Sequence, residues 1–174
     1  DYGMVNVTIP AGGTLQVEAS AMAYMDSHLR MKTKMKGGFK RMLSGEKLFI
    51  NEFSSEGRSG EIGVAPGTPG DLVHVYLENE TVYLQNSSYL ASSPNLQVEA
   101  QFQGFKGFFS GEKLFMVKCS GTGDLWFNTF GSVIEIDVTD DYVVDTGHIV
   151  GFSESLSYEV RGVAGLKCLF FSGE

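Results

Sequence analysis

Asp145-Thr146-Gly147, preceded by Tyr142-Val143-Val144, is the tripeptide that acid-proteolytic sites use to pair two carboxylates around one shared proton. The chain holds it once. A longer string weakens the catalytic reading. Ser-Gly-Glu-Lys-Leu-Phe occurs at Ser44–Phe49 and again at Ser110–Phe115, and its first half returns as Ser172-Gly173-Glu174. Laying the three copies over one another puts Asp145 where the others carry Glu18 and Gln85. A position that accepts Asp, Glu or Gln reads as a polar residue before a bend, not as a proton-sharing acid. The three histidines, His28, His74 and His148, fall in unrelated parts of the repeat without metal-ligand spacing. No nucleophile elbow, phosphate loop or dinucleotide fingerprint is present. Cys119 and Cys168 lie in apolar surroundings without a neighbouring CxxC, which predicts buried free thiols of a reducing compartment. These residues predict a chain that is not an enzyme, with no metal and no cofactor.

Two further sets of residues could still act. Glu46, Glu112 and Glu174 are equivalent in the repeat. They read either as ordinary Ser-Gly-Glu turns or as carboxylates gathered around a pseudo-threefold axis. Arg30, Lys32, Lys34 and Lys36 alternate along one segment, followed by Lys40 and Arg41. That segment reads as a solvated strand guarded by lysines. The sharper reading is contact with an acidic protein partner, an anionic membrane surface, or the acidic third unit of another copy. Aromatic-rich stretches hold Phe105, Phe108 and Phe109, with Phe170 and Phe171 in the third copy. Apolar side chains beside Gly and Lys predict an exposed patch or subunit contact, with folding back onto the core as the alternative.

The elements that must carry these residues are strands. Leu29, Met31, Thr33 and Met35 alternate with the four basic residues. Val73-Val75-Leu77, Leu96-Val98-Ala100 and Ile134-Ile136-Val138 alternate with polar neighbours. Period two predicts strands with one face on a core. Bends are predicted at 11–13, 67–70, 92–95 and Gly121-Thr122-Gly123, and short helix-like pieces at Gly37–Leu43 and the matching stretches of the other copies. With 174 residues and 22 glycines, the chain reads as all-β, one compact domain of three modules near 1–66, 67–131 and 132–174, the third truncated. Net charge is −8, divided unevenly: residues 1–60 hold 8 Lys+Arg against 6 Asp+Glu, and residues 61–174 hold 5 against 15. The acidic excess argues against nucleic acid.

The strings FKRMLSGEKLF, YLASSPNLQVEAQFQGFKGFFSGEKLF, GTGDLWFNTFG and DYVVDTGHIVGF closely resemble a widespread family of unassigned function that includes the yeast mitochondrial-biogenesis (altered inheritance of mitochondria) protein. Its modules are similar to the trp RNA-binding attenuation protein. The resemblance implies a triplicated fold of double-stranded β-helix (TRAP-like) type in pseudo-threefold arrangement, and a homo-oligomer. It implies no catalytic residue. The expected function is therefore a non-enzymatic oligomeric scaffold or binding protein. It is expected in the cytoplasm, or in the mitochondrion of a eukaryote. The alternative is a small-ligand or nucleic-acid binding module like the attenuation protein.

Overall fold

The computed structural model describes residues 3–36, 48–102, 115–163 and 166–172. For 35–36, 101–102, 115, 160–163 and 166–172 it describes the backbone alone. The described residues form strands and one turn of 3-10 helix, with no α-helix. The strands are β1 (Val5–Ile9), β2 (Thr14–Glu18), β3 (Met22–Met25), β4 (Arg30–Lys36), β5 (Leu48–Ser54), β6 (Gly60–Val64) and β7 (Leu72–Gln85). They continue with β8 (Tyr89–Ser92), β9 (Gln97–Phe102), β10 (Phe115–Asn128), β11 (Tyr142–Asp145), β12 (Gly151–Ser153), β13 (Ser157–Val163) and β14 (Leu166–Ser172).

These strands build three antiparallel sheets. One has the order β1-β6-β3. The largest runs β12-β7-β10-β8-β2-β5-β4, with β9 also laddered onto β10, and the third is β11-β14-β13. Alternation of β-branched and aromatic residues explains the elements: Val73, Val75 and Leu77 turn inward from β7, while His74, Tyr76 and Glu78 are exposed. Among the residues whose side chains are described, burial gathers in three clusters. One cluster joins Ile9, Leu15, Val17, Phe53, Ile62 and Leu90. A second joins Ile50, Leu84, Tyr89, Val98, Val117 and Leu125. Among the described residues the third joins Met116, Ile149 and Phe152, with Val138, Val144 and Leu156 packed against it. Each fully buried side chain of this size contributes roughly 1.5–3 kcal/mol.

A bulge divides the long β7–β10 ladder. Gly121 pairs with Glu80 and Thr122 with Glu78, which leaves Asn79 as the extra residue. Asn79 adopts φ 59°, and its backbone N–H donates to Thr122 Oγ1 at 3.0 Å. Gly121 sits at φ 122°. The sequence predicts a bend at Gly121-Thr122-Gly123. The chain instead runs straight through it, because the left-handed Asn79 opposite absorbs the irregularity.

Three other expectations change. Ile134-Ile136-Val138 predicts a strand, but residues 132–138 join no ladder among the described residues. β4 has the alternation of a one-faced strand, yet Met31 is 51% exposed, so 30–33 face solvent on both sides. The third copy's helix-like stretch is β14, which pairs with both β11 and β13. A four-residue apolar run, 168–171, does not distinguish helix from strand, and the two flanking ladders decide it. The matching stretches of the first two copies lie outside the described residues.

Candidate interaction surface

Asp145 ends β11 and caps the 3-10 turn Thr146–His148. Its Oδ1 accepts the Gly147 N–H at 2.9 Å, with His148 Nδ1 at 3.4 Å. A carboxylate bonded to the backbone two residues on is an Asx turn, and this gives Asp145 a structural task. His74, Asp124 and Ser93 also meet. His74 Nε2 lies 2.9 Å from Asp124 Oδ1, and Ser93 Oγ donates to Asp124 Oδ2 at 3.1 Å. The carboxylate stands between hydroxyl and imidazole. The imidazole therefore does not reach the hydroxyl proton, as a nucleophilic triad requires. His74 stacks on Trp126 at 5.0 Å, which places the group as a cross-strand clasp of β7 and β10.

A second polar cluster pins β12. Glu154 Oε1 accepts from Lys118 Nζ and from Tyr83 Oη, both at 3.2 Å. Hydrogen bonds from Thr81 and Lys118 hold the Glu154 carboxyl below its usual range, and the Glu154 bond raises Lys118. Cys119 is a buried free thiol whose pKa burial pushes up to about 12, so it is protonated and unreactive at neutral pH. Among the described residues no three His, Cys, Asp or Glu side chains gather as metal ligands, and no helix is long and apolar enough to cross a membrane.

The basic segment fits a contact role better. β4 pairs with β5 in the register Arg30↔Ser54 to Lys36↔Leu48 and ends the large sheet, so among the described residues its other edge carries no ladder. Lys34 is committed to an ion pair with Glu52, and Thr33 Oγ1 donates to Asn51 at 2.8 Å. Arg30 and Lys32 are exposed and make no salt bridge among the described residues. Of the predicted four, three side chains are placed. Lys36 is described by its backbone alone.

A matching acidic surface lies elsewhere. Phe130 and Ile134 are 82% and 81% exposed, and Val133, Ile136, Tyr142 and Val143 are exposed beside them. Glu135, Asp137, Asp140 and Asp141 interleave, with no Lys or Arg from 130 to 143. The Val133 N–H donates to Asp71 Oδ2 at 2.9 Å, and Gly131 bridges Gly70, so the start of the segment is tethered to the residues that lead into β7. Reading by alternation takes 134–138 as a core strand and misses it as a surface. The available signal was Phe130 with four acids in twelve residues. The predicted sites Glu46, Glu112, Glu174, Phe105, Phe108 and Phe109 lie outside the described residues. Phe170 and Phe171 are placed in β14 by their backbone only.

Comparison with known proteins agrees with this picture of an all-β chain. The chain is 28% identical over 187 residues to an uncharacterised protein of Streptococcus pyogenes serotype M6, covering 99% of this chain and 75% of that one. A crystal structure of a Streptococcus pyogenes protein superposes with a TM-score of 0.80 at 26% identity, covering 99% of this chain and 85% of that one. The family model described as mitochondrial biogenesis AIM24 matches residues 1–174, and the chain belongs to that family.

Proposed function

We propose that this chain is a non-enzymatic, oligomer-forming scaffold or binding protein that works through its sheet edges. The observation that carries the reading is the pair of segments 30–33 and 131–137, each exposed on both faces. They carry opposite charge; among the described residues 30–33 ladder only with β5, and 132–138 ladder with no strand. Native proteins blunt such edges, because unpaired backbone groups recruit another strand. Leaving two of them open fits a protein whose role is assembly.

The finer arrangement we infer is three modules around a pseudo-threefold axis. What supports it is recurrence of strand order: β2-β5-β4, β7-β10-β9 and β11-β14-β13 repeat one three-strand pattern. Likewise β8 joins β2, and β12 joins β7, as equivalent links from one module to the next. In a eukaryote, the family description directs this role to the mitochondrion.

Size exclusion with light scattering tests the scaffold reading. The expected result is a mass of two or more chains at micromolar concentration. A single-chain mass at every concentration overturns it. A thermal-shift series with tryptophan, nucleotides and short RNA tests the ligand-binding alternative. A ligand at 100 times its Kd stabilises by about 2.7 kcal/mol, and no shift is expected here.

A further inference from the structure

We infer that β4 of one copy pairs with residues 133–138 of a second copy as an antiparallel strand, making the assembly head-to-tail. The inference rests on the scaffold reading above and names the surfaces it uses.

Residues 133–138 have counterparts that are already paired. β1 (VNVTI) ladders with β6, and Val73–Leu77 of β7 (VHVYL) ladders with β10. Ile134–Val138 (IEIDV) has the same alternation and lacks the ladder. Residues 133–137 are exposed and hold an open partner position, while Val138 packs against the third core cluster. β4 supplies what that position needs. It is an edge strand, solvent-exposed on both faces at 30–33, and basic where 133–138 is acidic.

The register follows from the side chains. Setting Lys32 opposite Glu135 puts Arg30 opposite Asp137, Met31 opposite Ile136, Thr33 opposite Ile134 and Lys34 opposite Val133. One face then pairs opposite charges, and the other sets Met31 and the β-branched Thr33 against isoleucines. Lys34, already held by Glu52, is the basic residue that meets no acid. A slip by one residue sets lysines against isoleucines, so the pattern specifies its own register. The pairing is antiparallel, as is every strand ladder of the described sheets. Lysines on β4 repel a basic strand and attract an acidic one, which makes the edge selective.

The two segments differ, so the contact is heterologous and propagates as a ring or a filament rather than as a twofold dimer. The test is a charge exchange. One variant carries Arg30→Glu with Lys32→Glu; the other carries Glu135→Lys with Asp137→Lys. All four positions are exposed. By light scattering at low salt, wild type is expected as a multiple of the chain mass and each variant alone as a single chain. An equimolar mixture of the two variants is expected to return to the multiple. Restoration on mixing also shows that both variants fold. A wild-type oligomer that either variant leaves unchanged, or variants that stay single on mixing, overturns the pairing while the scaffold reading survives. A monomeric wild type overturns both.

Discussion

Asn79 and Cys119 show how single residues are fixed by their surroundings. Asn79 holds the bulge with φ 59°, a conformation that costs most residues about 1–2 kcal/mol. Replacing it with Val should lower stability by roughly that amount, whereas Asn79→Gly should be near neutral, as read by urea denaturation. Cys119 lies within the second core cluster with its thiol pushed up to about 12. Iodoacetamide at pH 8 should leave it unmodified in the native protein and modify it after denaturation, as seen by peptide mass spectrometry. Its burial was legible from the apolar alternation around it. The task of Asp145 was legible only in part: the repeat removed it as a catalyst, but the Gly147 N–H that it caps is a fact of local geometry.

Among elements, the joints between strands carry the testable energetics. Gln16 of β2 is buried, and its Nε2 donates to the carbonyls of Ser93 and Leu96 at 3.1 Å, locking the bend before β9 to the first part of the chain. Gln16→Ala strips those buried acceptors of a donor and should cost about 1–3 kcal/mol in chemical denaturation. Glu154 ties the turn after β12 to β7 and β10. Its folded pKa is depressed, so its contribution is present above the ordinary carboxylate value of about 4.3 and is lost as pH falls through the lower folded value. Lys118 is raised, so its share persists up to about pH 10.4 and fades as pH climbs through the higher folded value. Glu154→Gln should therefore lower the melting temperature by a constant, small amount across the neutral range. That difference should vanish in acid below the ordinary carboxylate range. Strands such as β7 and β9 were readable because their alternation coincides with a buried face. β4 and 133–138 alternate just as regularly, but exposure is decided by what packs alongside, and a single strand's pattern does not contain its neighbour.

At the level of the whole molecule, charge divides the chain unequally. Among the described residues two core clusters hold ten buried residues each and a third holds three. Amides of β12 should exchange with solvent well before those in the inner part of the β7–β10 ladder in native-state hydrogen exchange. The all-β class and the basic segment were legible in the sequence. The acidic, apolar surface at 130–143 was hidden, because the same residues satisfy the pattern of an internal strand, and only the missing ladder separates the two. With Arg30 and Lys32 open on one side and Glu135 and Asp137 open on the other, association should weaken as ionic strength screens the pairs. Sedimentation of the wild-type chain at low and high salt tests the scaffold account most directly. The account predicts an assembly larger than one chain at low salt that shifts toward single chains near 1 M salt. A single-chain species at low salt and high protein concentration would contradict it.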